Sequence, residues 1–275
     1  MLRDDSSSDF VPVLMYHDIA EAPFCSTSGR WVVPPALFAE HLSALIEAGY
    51  QTRRITHLSD ARADQAVAFI TFDDGYASVV EHALPALTKQ GMTATLFLTS
   101  AFVGSRASLP AARDEEHRRY LAWSDVRDAV AAGFEIGSHS HRHLELDLLN
   151  EQQLEQDLAV SKTILEDETS SVVQSLAYPF GYHTAKVRSA ASKAGYRVGC
   201  EVGYGLYNRR SGNPFCVRRL LVPPDMSGEC LLRLVAEGRP TAGQLARRHT
   251  RPVWRAVRQT RATVQGLAGC GRSRP

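Results

Sequence analysis

The sequence is short of the features that mark a membrane-spanning, disulfide-built or repetitive protein. No uninterrupted apolar run approaches the roughly 18 residues that a spanning helix needs, which excludes a helical membrane span. The first ten residues carry Asp4, Asp5 and Asp9 where a secretory leader would be basic, and no apolar core follows them. A cytoplasmic protein is therefore expected. The 5 cysteines, Cys25, Cys200, Cys216, Cys230 and Cys270, are odd in number and lack C-x-x-C spacing. Neither a disulfide framework nor a thiolate zinc site is suggested, and free thiols are expected. No internal repeat or low-complexity tract precedes residue 239. An excess of one charge is missing as well, since the formal net charge is +1.

That balance hides an asymmetry. Residues 239–275 hold nine arginines and no acid; removing these from the 31 basic residues leaves 22 against 30 acids, a formal charge of −8 for residues 1–238. What remains is a chain of 275 residues with 44% hydrophobic and 22% charged side chains, the composition of an ordinary globular protein with one large domain. We divide it into an N-terminal tail (1–10), a body (11–238) and a basic tail (239–275).

Short apolar runs alternate with helical patterns through the body. Val11 to His17 and Gln65 to Phe72 read as buried strands, and Pro34-Pro35 opens a helix between them that ends at Gly49. Further strands are expected at 93–99, 134–138, 172–178, 196–200 and 215–222, with helices at 79–90, 124–132, 151–166 and 184–193. Such alternation favours an α/β fold with a parallel sheet, and about seven units suggest a closed barrel whose active site lies at the carboxyl ends of the strands. The irregular stretches Glu21 to Arg30 and Gly104 to Tyr120 read as rims of that site or as plain surface insertions.

Polar clusters sit at those strand ends. In Thr71-Phe72-Asp73-Asp74-Gly75 two carboxylates follow a buried strand. Successive strand residues face opposite sides, so both acids reach one pocket only if the chain turns, which Gly75 permits. A divalent cation would relieve their repulsion, leaving one Asp as ligand and the other as base; an Asp-Asp-Gly turn capping a helix is the simpler alternative. In Gly137-Ser138-His139-Ser140-His141-Arg142-His143, the imidazoles of His139 and His143 are four residues apart and can meet a metal from one side.

With Pro12-Val13-Leu14-Met15-Tyr16-His17, Ala94 to Leu98, Leu176-Ala177-Tyr178-Pro179-Phe180-Gly181 and Ala194-Gly195-Tyr196, these segments resemble the polysaccharide deacetylase family. This is the NodB homology domain or carbohydrate esterase family 4, and the likeness points to its exopolysaccharide-type branch. The resemblance spans Val11 to about Asp225. It implies a distorted (β/α)7 barrel, with Asp74, His139 and His143 as ligands of one divalent ion. That ion would be zinc, with cobalt, nickel or manganese as alternatives, and Asp73 would be the catalytic base. Tyr178, Pro179, Phe180 and Gly181 would line the substrate site, a backbone N–H there serving as a second oxyanion donor.

Several family positions are changed. An Arg that commonly orients the base is replaced by Ala177, and the Leu-x-His that often supplies the acid is replaced by Val217-Arg218-Arg219-Leu220. Arg219 is expected to pair with Asp73 or Asp18 in place of the missing Arg, and His183, His17 and His141 are the acid candidates. His41, His57 and His82 read as structural or exposed.

The expected activity is metal-dependent removal of N-acetyl groups from amino sugars of a glycan, glycolipid or glycosylated metabolite. O-acetyl ester or other non-peptide amide hydrolysis, and a sugar-binding scaffold without turnover, are the alternatives. The arginines of the tail recur at helical spacing after Pro252, a pattern suited to an anionic membrane surface or to the acidic body rather than to specific nucleic-acid recognition.

Overall fold

The computed structural model describes residues 9–21, 31–60, 65–105, 119–203 and 205–238, with Arg258 and Thr260. Eight parallel strands form a nearly closed barrel. In chain order they are Val13–Tyr16, Val67–Phe72, Thr95–Leu98, Glu135–Ser138, Ser175–Ala177, Val198–Glu201, Val217–Arg218 and Leu220–Leu221, each of the first six lying beside the next. The final two are one strand divided at Arg219. Its first half pairs with Val198–Glu201 and its second with Val13–Tyr16, so the break is where the sheet closes on itself. Counting the divided strand once gives the seven units expected from the periodicity.

Helices α1 (Pro35–Glu47), α2 (Leu84–Lys89), α3 (Trp123–Ala131), α4 (Glu151–Thr169), α5 (Ala185–Lys193) and α6 (Gly228–Glu237) cover the outside. Pro35 starts α1 in the first turn, where its missing N–H is no loss. Asn150 and Gln153 cap α4 reciprocally. A wide π-type turn, Val79–Ala83, precedes α2. Sequence periodicity did not single out α6, which packs on α1.

Strand alternation sorts the core into two. Leu14, Tyr16, Ile70, Phe72, Leu96, Leu98 and Leu176 meet the helices. Val13, Val67, Phe69, Phe97, Ala177, Val198, Cys200 and Val217 fill the barrel interior. This alternation decides which residues after a strand end face the barrel mouth. Most of the two expected rims (22–30 and 106–118) and the helical reading of the tail lie outside the described residues. No helix among the described residues is long and apolar enough to cross a membrane. Cys200, Cys216 and Cys230 are free thiols.

Candidate active site

Asp73 continues the inward-facing row of Phe69 and Thr71, and its carboxylate is buried. Asp74 would point outward on a regular strand. Its φ of 72°, followed by 87° at Gly75, turns its side chain instead. The reversal thus begins at Asp74 itself, one residue earlier than Gly75 suggested. Four of the five non-glycine residues with left-handed φ among the described residues, Asp74, Ser140, His143 and Phe180, belong to this region. Each such residue costs of order 1–3 kcal/mol and persists only where its surroundings enforce it.

For the histidine loop the enforcement is visible. Ser138 Oγ accepts from the Ser140 N–H at 3.1 Å, and Ser140 Oγ accepts from the His143 N–H at 2.9 Å. The buried Asp157 of α4 accepts from the His141 N–H at 2.9 Å, and Ser161 of α4 shares a hydrogen bond with Ser138. The polar residues on the inner face of α4 therefore hold a loop in place. His139 and His143 meet through this tight loop, not a helical turn, with ring centroids 4.8 Å apart.

Asp74, His139 and His143 form the one group of three metal-capable side chains among the described residues, with donor atoms within 4.8 Å of one another. Asp74 Oδ1 lies 3.4 Å from Nε2 of each histidine, and it is buried without accepting a hydrogen bond. His139 Nδ1 lies 2.8 Å from the Ala177 carbonyl; a carbonyl only accepts, so Nδ1 carries the proton and Nε2 presents a lone pair to Asp74. Unshared lone pairs facing one another in a buried site call for a cation. Two donors bound at about 2.0–2.2 Å to a tetrahedral ion stand about 3.4 Å apart, so these residues fit a divalent metal. Burial would raise the Asp74 pKa, but His143, His17 and His139 outweigh it and hold the carboxyl below its usual range. Burial, reinforced by His143, pushes the His139 imidazole down to about 4 against the pull of Asp73 and Asp74.

Arg219, at the break in the last strand, donates to Asp73 through both terminal nitrogens, at 2.6 Å to Oδ1 and 2.7 Å to Oδ2. It also donates to Thr71 Oγ1 at 3.2 Å and lies over the Phe97 ring. Of the two partners expected for Arg219, Asp73 is the one it meets; Asp18 accepts from Ser78. Burial opposes ionisation of Asp73, but Arg219 and His139 prevail and lower its pKa.

The three candidate acids separate. Burial lowers the His17 pKa against the charges of Asp74 and Asp73, and its ring packs on Trp31 with centroids 4.6 Å apart. His183 has Nε2 2.7 Å from Glu201 and Nδ1 3.0 Å from Arg188, so both ring nitrogens are engaged elsewhere. His141 pairs with Ser100 at 2.9 Å. His41 is buried between Tyr16 and the Met226 carbonyl; His57 pairs at the surface with Asp60, and His82 is exposed.

Of the third segment, Phe180 is 43% exposed and stands edge to face on His143 at 4.7 Å. The Tyr178 ring is buried, with its hydroxyl donating to the Phe215 carbonyl at 3.1 Å, which removes its side chain from the substrate side. Pro179 and Gly181 are buried in the turn, and a Cβ on Gly181 would come 2.5 Å from the Val202 nitrogen. Trp31, Thr71, Phe97, Asp157 and Tyr182 were not singled out in the sequence. Trp31 and Asp157 are brought to the site by elements other than those that carry its motifs, so no local pattern marks them, whereas Tyr182 directly follows the Pro-Phe-Gly turn.

Comparison with known proteins adds an independent likeness. The family model for polysaccharide deacetylases matches residues 60–199. YxkH of Bacillus subtilis (strain 168), described as a polysaccharide deacetylase, is 31% identical over 223 residues, covering 79% of this chain and 73% of that protein. Among solved structures, the deacetylase PplD of Streptococcus pyogenes, in complex with acetate, superposes with a TM-score of 0.71 at 24% identity, over 82% of this chain and 98% of that one. IcaB from Ammonifex degensii gives 0.70 at 22% identity, over 83% and 97%.

Proposed function

The chain belongs to the polysaccharide deacetylase family, hydrolases of carbon–nitrogen bonds other than peptide bonds, and from this premise we propose that it removes N-acetyl groups from amino sugars of a glycan, glycolipid or glycosylated metabolite. The observation that carries the reading is the convergence of Asp74, His139 and His143 beside an Asp73 that Arg219 holds in place.

A divalent ion held by Asp74, His139 and His143, zinc by the chemistry of two imidazoles and one carboxylate, supplies Lewis acidity toward water and an acyl oxygen. Asp73 accepts the proton of the attacking water. Arg219 occupies one site on each of its oxygens, and each carboxylate oxygen has a second lone pair for the proton. The Arg219 charge keeps Asp73 ionised and oriented, taking the role left vacant by Ala177. The Tyr178 and Gly181 N–H groups donate to the Cys200 and Tyr178 carbonyls, and Pro179 has none, which leaves the Phe180 N–H to meet the developing oxyanion. For the acid that protonates the leaving amine our choice is His17, on which the charges of Asp74 and Asp73 act, over His183 and His141, which are hydrogen-bonded to Glu201 and Arg188 and to Ser100.

The test is acetate release by the zinc-loaded protein from N-acetylglucosamine oligomers, peptidoglycan fragments and lipid-linked N-acetyl sugars, before and after chelation. We expect about one metal equivalent, release from at least one N-acetylated substrate, and its loss on chelation with recovery on zinc addition. Release from O-acetyl esters alone would establish an esterase, and no metal with no release would leave a binding scaffold.

A further inference from the structure

Arg258 comes from the basic C-terminal segment, beyond the residues that the family model matches, yet only 8% of it is exposed. Its terminal nitrogens donate to both oxygens of Asp147, at 3.2 and 3.1 Å, across 111 residues of chain. Glu145 lies 3.3 Å from the same guanidinium. The guanidinium carbon sits 3.6 Å from the centroid of the Tyr182 ring. Tyr182 in turn stacks on Phe180, with centroids 5.9 Å apart, and Phe180 meets His143. An unbroken series of contacts therefore runs from Arg258, through two aromatic rings, to the imidazole of His143.

The chemistry of each contact suits a clamp. Only a planar guanidinium can bind a carboxylate bidentately and lie against a ring at once. The buried carboxylate of Asp147 anchors the arginine, and the arginine fixes the far face of Tyr182. Phe180 has a left-handed backbone, is 43% exposed, and has ring contacts with Tyr182 and His143. Left unsupported, its ring would be free to rotate out of the site mouth.

We propose that Arg258 is a positioning residue of the active site: by clamping Tyr182 it fixes Phe180 as an aromatic wall for the sugar ring that carries the acetyl group. Arg258 then supports the substrate site from behind Tyr182. The identity of the ligand rests on the deacetylase reading; the clamp itself does not.

The experiment is Arg258→Ala in the full-length, zinc-loaded chain, with Arg258→Lys and Tyr182→Leu beside it. Hydrogen exchange is read over residues 178–184 and, as a control, over the strand 67–72. In Arg258→Ala we expect faster exchange in 178–184 only, an unchanged zinc content, and a KM for the N-acetylated substrate raised about tenfold with kcat within about twofold. Arg258→Lys keeps the charge without the fork and should restore only part of the protection. Tyr182→Leu removes the ring from the other side, should raise KM alike, and keeps the idea testable if Arg258→Ala folds poorly. Unchanged exchange in 178–184, or a fall in kcat with KM unmoved, overturns the clamp. If the wild type releases no acetate from any substrate, the deacetylase reading fails, and exchange still decides the clamp.

Discussion

Asp73 and Asp74 differ in fate because a single left-handed residue separates their directions. Asp73 lies in the barrel interior with both oxygens on Arg219, so its charge is bound to one specific partner. Asp73→Asn should keep metal content near one equivalent while lowering turnover by about 10²–10⁴-fold. His143→Ala should lose metal and turnover together; metal analysis beside acetate release separates the two, and metal loss in Asp73→Asn would mean that the two aspartates have exchanged roles. Arg219 is wholly buried, and its loss would strand a buried carboxylate. Arg219→Met is expected to destabilise the fold by about 3–5 kcal/mol in urea unfolding, whereas Asp73→Asn/Arg219→Met should recover much of that loss.

At the scale of elements, the division of the last strand explains how one arginine reaches Asp73. Where the strand leaves Val198–Glu201 and joins Val13–Tyr16, Arg219 is inserted between the halves and aimed inward. A second tie, His41 of α1, spans to the segment before α6. Tyr16 Oη lies 3.1 Å from His41 Nδ1, and Nε2–H donates to the Met226 carbonyl at 2.5 Å, so that a neutral ring has both nitrogens partnered. Burial lowers the His41 pKa from its ordinary 6.5, against the pull of Met226 and Glu40. A base lowered on folding adds no penalty above the unfolded pKa; below it, the unfolded chain binds a proton that the folded one resists. Stability should thus fall as pH drops below about 6.5, by up to about 1.4 kcal/mol per pH unit for one proton. Urea midpoints between pH 8 and 5.5 should show it, with a shallower fall in His41→Gln.

Over the whole molecule, an acidic body carries a basic C-terminal segment, and one arginine of that segment is already committed to the body through Asp147. We propose that the remaining arginines of residues 239–275 make a peripheral contact with anionic lipid. Replacing Arg247, Arg248, Arg251 and Arg255 by Glu should abolish sedimentation with phosphatidylglycerol vesicles, at about 1 kcal/mol per basic residue near the surface. Equal sedimentation of both proteins would end that idea, and Arg258 is left in place so that its contacts are not disturbed.

The sequence by itself determined what is local: strand and helix alternation, the inward and outward rows, and the Asp-Asp-Gly and His-x-x-x-His segments, because periods of 2 and 3.6 and turn chemistry are written in neighbouring residues. Only the tertiary structure decided which distant groups meet. Arg219 reached Asp73 rather than Asp18 because the last strand changes partner at that residue. His183 was diverted to Glu201 and Arg188, and the ring of His17 packed on Trp31, because strand ends fix direction only after the barrel closes. Arg258 found Asp147 across 111 residues of chain and Tyr182 beside it, contacts that no spacing in the sequence encodes.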